Sequence, residues 1–155
     1  MKWIKRLLIL FLILYVGVCA GMYFFQDKLL FHPYKLTADY KYNFAGRFRE
    51  FNLDIGNGCT VNALQFYTDS PAKGVVLYFH GNAEALDRTG TIADTFTSRG
   101  YDCIMMDYPG YGKSTGDLTE ENLFNTGTKF IDLVKKSYSS ARIVIYGKSL
   151  GTGWC

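Results

Sequence analysis

The sequence predicts an α/β fold in which a mainly parallel sheet is covered on both faces and is preceded by one membrane-spanning helix. Three observations carry this. Leu7 to Phe25 holds 19 consecutive uncharged, mostly apolar residues, about the length of a helix that crosses a hydrocarbon core. Gly74 to Phe79, Cys103 to Met106 and Ile143 to Tyr146 are short continuous apolar runs, the pattern of strands buried on both faces. Two stretches of helical periodicity separate those runs, and the alternation of strand and helix specifies parallel strands joined by crossovers.

Each element follows in order. Lys2, Lys5 and Arg6 precede the apolar span, and only Asp27 and Lys28 follow closely. The excess of positive charge before the span predicts a cytoplasmic N-terminus and export of the remainder. Residues 1–25 are thus read as a cytoplasmic tip and a single-pass anchor that contacts membrane lipid through residues 7–25. The competing reading is a cleaved signal peptide, because Val18-Cys19-Ala20 resembles a cleavage site. A lipoprotein reading through Cys19 is disfavoured by the bulky Val18. The long apolar run and the aromatic residues after it favour an uncleaved anchor.

Residues 26–46 are rich in aromatics, Lys and Asn without clear periodicity, and read as a juxtamembrane connector. The folded domain is expected over 47–155. It opens with Phe51, Leu53 and Ile55 alternating with polar residues. Gly56-Asn57-Gly58 then gives a turn, and a returning strand spans Thr60 to Tyr67, which together make a β-hairpin. After the strand ending at Phe79, Ala85 to Arg99 carries Ile92, Ala93 and Phe96 at helical spacing, and Gly100 stops the helix. After the second buried strand, Asp117 with Glu120 reads as a capping pair, and Leu123, Phe130, Ile131 and Val134 make one helical face. The third buried strand, Ile143 to Tyr146, is expected to remain an uncovered apolar edge.

Composition narrows the function. A net charge of +3, partly in the first six residues, supports no nucleic-acid partner. Cys19, Cys59, Cys103 and Cys155 are scattered without C-x-x-C pairs, so neither a metal site nor a disulfide framework is expected, and no cofactor is implied. Gly-Lys-Ser occurs at Gly112 to Ser114 and at Gly147 to Ser149. A phosphate-binding loop needs a glycine five residues earlier, where this chain has Asp107 and Arg142. Gly110 and Gly112 are followed by Thr115 where a dinucleotide fingerprint needs its third glycine. The two Y-G-K-S stretches have different flanks and do not form a repeat.

The chemistry is expected in the loops after the three buried strands, because ligands of open α/β sheets bind at the carboxyl ends of the strands. The loops are His80-Gly81-Asn82-Ala83-Glu84, Asp107-Tyr108-Pro109-Gly110-Tyr111-Gly112 and Gly147-Lys148-Ser149-Leu150-Gly151. The last has the pattern G-x-S-x-G directly after a strand. A sharp strand-to-helix turn strains the serine backbone and exposes its hydroxyl, while the flanking glycines remove side chains that would clash. Ser149 is therefore the candidate nucleophile, and the Leu150 N–H, at the start of the following turn, is placed to meet a developing oxyanion. His80 is read as ordering its own loop through hydrogen bonds, with a role as base the alternative.

Together these loops resemble the α/β-hydrolase superfamily, and most closely its membrane-anchored serine hydrolases, the exported bacterial and depalmitoylase-like members. Q-x-x-L-x-F-x-P, here Gln26 to Pro33, follows the anchor in that group. The resemblance implies that H-G-N-A-E supplies an oxyanion amide from Asn82, with Ala83 the other candidate. It also implies that D-Y-P-G-Y-G-x-S-x-G, Asp107 to Gly116, shapes the pocket, and that Ser149 is the nucleophile. His80, Gly81, Tyr108 and Tyr111 are the expected pocket residues, and a small acyl or peptide compound is the expected substrate.

The family's triad continues from Ser to Asp and then His, and neither residue type follows Ser149; His32 and His80 are the two histidines present. The chain therefore reads as the N-terminal half of an α/β-hydrolase fold: a hairpin plus three parallel strands with two helices. It would cleave an ester, thioester or amide through an acyl-serine once a C-terminal chain supplied the missing groups. The alternative is a catalytically inactive fragment or a membrane-tethered interaction protein.

Overall fold

The computed structural model describes residues 2–154, apart from the side chain of Asp27; Cys155, the last of the four cysteines, lies outside the described residues. The chain divides into two compact units at the junction of His32 and Pro33. The first unit is a single helix, α1 (Lys2–Leu30). Its Lys2–Gln26 stretch, with a mean hydropathy of 2.5, is long and apolar enough to cross a membrane, and its side chains are not covered by protein. Pro33 lies just past the end of α1, where a residue that cannot donate a backbone N–H forbids continuation.

The second unit is built on a five-stranded sheet. Strands β1 (Phe48–Gly56) and β2 (Cys59–Phe66) form the antiparallel hairpin. Asn57 at its tip, with φ of 53°, and Gly56 and Gly58, at 91° and 69°, occupy the left-handed region that Gly and Asn tolerate. Strands β3 (Gly74–Phe79), β4 (Tyr101–Met106) and β5 (Ile143–Gly147) run parallel to one another, and the spatial order is β1-β2-β4-β3-β5. β2 joins the two parts by pairing antiparallel with β4. Every residue of β3 is buried, as expected for a strand with neighbours on both sides and helices on both faces. β5 lies at an edge of the sheet, and its Val144 and Tyr146 are 45% and 48% exposed.

One face of the sheet is covered by α4 (Glu120–Lys135), which buries Phe130 and Val134 against Val61, Val75, Leu77 and Met106. Burying one such side chain fully stabilises the fold by about 1.5–3 kcal/mol. The cap of α4 differs from the expected Asp117 pair. Thr119 is the N-cap, and its side chain accepts from the Asn122 N–H at 3.2 Å. Asp117 instead offers its carbonyl to Thr119 N and to Asn122 Nδ2, forming a turn that postpones the helix.

The opposite face holds α2 (Leu86–Thr89) and α3 (Ala93–Thr97), joined by a 3₁₀ turn over Gly90–Ile92. The single helix expected over 85–99 is broken there. At Gly90 a β-carbon would stand 2.3 Å from Cζ of Phe44, so the ring of the preceding segment occupies the space at the break. Phe44 belongs to residues 33–46, which the sequence presents as a connector and which pack onto this face. Tyr42 is buried, and Tyr40, Tyr42, Phe44, Phe48 and Phe66 form a continuous chain of ring contacts.

Candidate active site

The register of the parallel strands creates the site. Phe79 lies opposite both Met106 and Gly147, so His80, Asp107 and Lys148 start three loops side by side at one end of the sheet. Lys148 N–H donates to the Phe79 carbonyl at 3.0 Å, extending the pairing one residue into the elbow.

Ser149 sits at the turn with φ of 51°, a left-handed conformation that costs a residue with a β-carbon about 1–2 kcal/mol. It is exposed. The two glycines of G-x-S-x-G are required by close approach: a β-carbon on Gly147 would lie 2.2 Å from the Gly151 carbonyl oxygen, and one on Gly151 would lie 2.2 Å from that of Phe79. After Ser149 the chain forms a 3₁₀ helix, Ser149–Trp154. Such a short helix needs outside support. The Trp154 ring supplies it by stacking on Phe79, with centroids 5.0 Å apart, and on Tyr108, at 5.3 Å.

The first loop meets the elbow directly. A β-carbon on Gly81 would lie 3.5 Å from Cβ of Ser149, which places the H-G-N-A-E loop against the candidate nucleophile. Ala83 is left-handed, with φ of 57°, and its N–H donates to Oδ1 of Asn82 at 3.1 Å. Glu84 braces this loop by accepting from the Gly81 N–H at 3.2 Å and pairing with Lys148. Burial pushes the Glu84 carboxyl up, but the bonds from Lys148 and Gly81 outweigh this and hold it below the usual carboxylate range.

His80, Tyr108 and Tyr111 are fully buried and pack together, with the His80 ring 4.4 Å from that of Tyr108 and 5.7 Å from that of Tyr111. They form the wall behind the loop rather than an open pocket surface. Nδ1 of His80 lies 2.7 Å from the Gly81 carbonyl, so it carries the proton, and Nε2 faces Asp107 Oδ1 at 3.4 Å. Asp107 Oδ1 also accepts from Leu86 N–H at 3.0 Å. Burial pushes the Asp107 carboxyl above the usual carboxylate range, against the opposing pull of His80. The wall is tied to the loop by two hydroxyls: Tyr108 donates to the His80 carbonyl and Tyr111 donates to Asn82 Oδ1, each at 2.7 Å.

Sequence reasoning brings Ser149, Leu150, Gly81, Asn82 and Ala83 to one place. It misses the Glu84–Lys148 pair and the His80–Asp107 contact. Both involve residues next to the motifs, but their partnership depends on register between strands that are distant in sequence.

Comparison with known proteins agrees with this fold. The family model described as serine aminopeptidase, S33, matches residues 70–155, more than half of the chain. The lysophosphatidylserine lipase ABHD12 of Xenopus tropicalis is 33% identical over 94 residues, which cover 58% of this chain and 24% of that protein. The match thus spans about a quarter of the length of these lysophosphatidylserine lipases. Among solved structures, the carboxyl esterase of Bacillus coagulans superposes with a TM-score of 0.61 at 21% identity, covering 69% of this chain and 39% of that one. The α/β hydrolase of Vibrio vulnificus gives 0.58 at 21% identity, covering 67% and 36%. A family match over more than half of the chain places it in the serine aminopeptidase S33 family of α/β hydrolases.

Proposed function

We propose that this chain provides the anchor, nucleophile and oxyanion half of a membrane-bound serine hydrolase acting on ester, thioester or amide bonds. The observation that carries the reading is the left-handed, exposed Ser149 held against Gly81. In this reading Ser149 Oγ attacks the substrate carbonyl carbon while its proton passes to a base. The negative charge that develops on the carbonyl oxygen is met by the backbone amides of Asn82 and Leu150. Collapse of the tetrahedral intermediate expels the leaving group and gives an acyl-serine, which water then hydrolyses. The lysophosphatidylserine lipases among the relatives favour an acyl ester of a lipid as substrate. The excess of Lys and Arg before the apolar helix supports export of the catalytic unit.

His80 is a poor base for Ser149, because it is fully buried and its two ring nitrogens face the Gly81 carbonyl and Asp107. In this reading the base and its carboxylate partner are groups other than His80, with a complementing C-terminal segment as their proposed source. Fluorophosphonate labelling of the chain in detergent tests the reading. Labelling is expected to be negligible alone, to rise when imidazole is added as an external base, and to vanish in Ser149→Ala. Labelling that survives Ser149→Ala, or no rise with imidazole, would remove Ser149 as nucleophile and favour a tethered, non-catalytic protein.

A further inference from the structure

Residues 33–44 behave as part of the site's framework. Tyr34 and Leu36 bracket Gly112: the Gly112 N–H donates to the Tyr34 carbonyl at 2.7 Å, and the Leu36 N–H donates to the Gly112 carbonyl at 2.9 Å. Gly112 is left-handed, with φ of 48°, and a β-carbon there would lie 1.8 Å from Asp107 Oδ2. The strap thus presses the loop after β4 onto the buried His80–Asp107 pair at a point where only glycine fits. The Tyr34 ring also lies beneath the Arg88 guanidinium, 4.4 Å from ring centroid to Cζ, a cation–π contact. Arg88 is in α2, directly after the H-G-N-A-E loop, so one residue of the strap holds both loops. Lys113 strengthens the attachment by donating to the Tyr40 carbonyl at 3.0 Å and to Glu50 at 2.6 Å.

From Gly112 the connection to the candidate oxyanion loop is short. Its neighbour Tyr111 donates to Asn82 Oδ1, the same oxygen that accepts the Ala83 N–H. A displacement of Gly112 is passed to its neighbour Tyr111 and so to the bond that Tyr111 makes with Asn82. We propose that Tyr34 and Leu36 are positioning residues that set the geometry of residues 80–84, by their backbone bonds through Gly112 and Tyr111 and by the Tyr34 ring through Arg88, so that the oxyanion loop depends on the segment continuing directly from the apolar helix. The catalytic meaning of this dependence rests on the hydrolase reading. A simple spacer between anchor and domain would need none of these bonds.

Hydrogen exchange on the full chain in detergent micelles tests it, using Tyr34→Ala, Tyr34→Phe and Leu36→Pro, the last of which removes the donor to Gly112. In Tyr34→Ala and Leu36→Pro the amides of Gly81, Ala83 and Gly112 are expected to exchange about tenfold faster or more, while β1 and β2 keep their native rates. Tyr34→Phe keeps the ring over Arg88 and is expected to restore the native rates. Faster exchange confined to residues 33–40 would overturn the proposal, and so would a uniform rise that includes β1 and β2, which would mark the strap as a general stabiliser. Should Leu36→Pro fail to fold, the two Tyr34 variants decide alone. Exchange is read without turnover, so a failure of Ser149 to label leaves this result standing, and unchanged exchange leaves the labelling standing.

Discussion

Gly151 approaches Phe79 so closely that a β-carbon on it would stand 2.2 Å from the Phe79 carbonyl oxygen. The second glycine of the G-x-S-x-G pattern is therefore fixed by the end of β3 and by packing beneath the serine. Gly151→Ala must displace either the elbow or the strand, and overpacking of this kind costs about 1–3 kcal/mol. A lowered urea midpoint with an unchanged slope is expected for the detergent-solubilised chain.

Strain at Ser149 makes a separate prediction. Its φ of 51° is accessible to glycine without penalty, so Ser149→Gly is expected to stabilise the chain by about 1 kcal/mol. Ser149→Ala keeps the β-carbon and with it the strain, and is expected to leave stability nearly unchanged. Thermal unfolding of the two variants side by side checks this; equal midpoints would mean that the elbow is unstrained.

Asp107 gives the chain a pH dependence of known sign. Its folded-state affinity for a proton is raised by burial, so its contribution to stability is full below the unfolded carboxylate range and is lost as pH rises through the raised folded value. Asp107→Asn cannot ionise, and its Oδ1 can still accept from Leu86. The stability of the native chain relative to Asp107→Asn is expected to decline as pH rises from the carboxylate range toward neutrality. A difference that is flat across that window would mean that Asp107 folds with an unshifted carboxyl.

Glu84 has the opposite sign. Its folded carboxyl is held below the usual range, so its contribution is present above the unfolded value and lost as pH falls through the folded one. Because the pair with Lys148 is partly exposed, the effect of Glu84→Gln at neutral pH is expected to stay below about 1 kcal/mol. The difference between Glu84→Gln and the native chain should shrink on acidification, as followed by denaturant titration at several pH values.

Much of this structure is legible in the sequence because its strongest signals are local. A continuous apolar run such as Gly74–Phe79 identifies a doubly covered strand, and the glycines flanking Ser149 identify a strained turn, without knowledge of the neighbours. The strap is the main feature that is not legible. Leu36, Tyr40, Tyr42 and Phe44 do alternate with Thr37, Asp39, Lys41 and Asn43 as a half-buried strand would, but the segment docks by individual rings and isolated hydrogen bonds, and the alternation alone does not say what covers its apolar side. Strand order is hidden for a related reason. β4 inserts between β2 and β3, and nothing in an apolar run states which neighbour it will pair with. The break at Gly90 shows the same limit, since the periodicity of residues 85–99 is helical and the interruption comes from Phe44, far away in sequence.

The stacking of Trp154 has a counterpart on α4. A β-carbon on Gly127 of α4 would fall 2.2 Å from Cδ1 and Nε1 of the Trp154 ring, so the absence of a side chain on one helix and the presence of the largest side chain on the next turn are two halves of a single fit. The two positions are consequently coupled: a methyl group gained at 127 is tolerable only alongside a smaller residue at 154. The order of change is thus set: a smaller residue at 154 opens the space that a side chain at 127 would need, and the reverse order meets the ring.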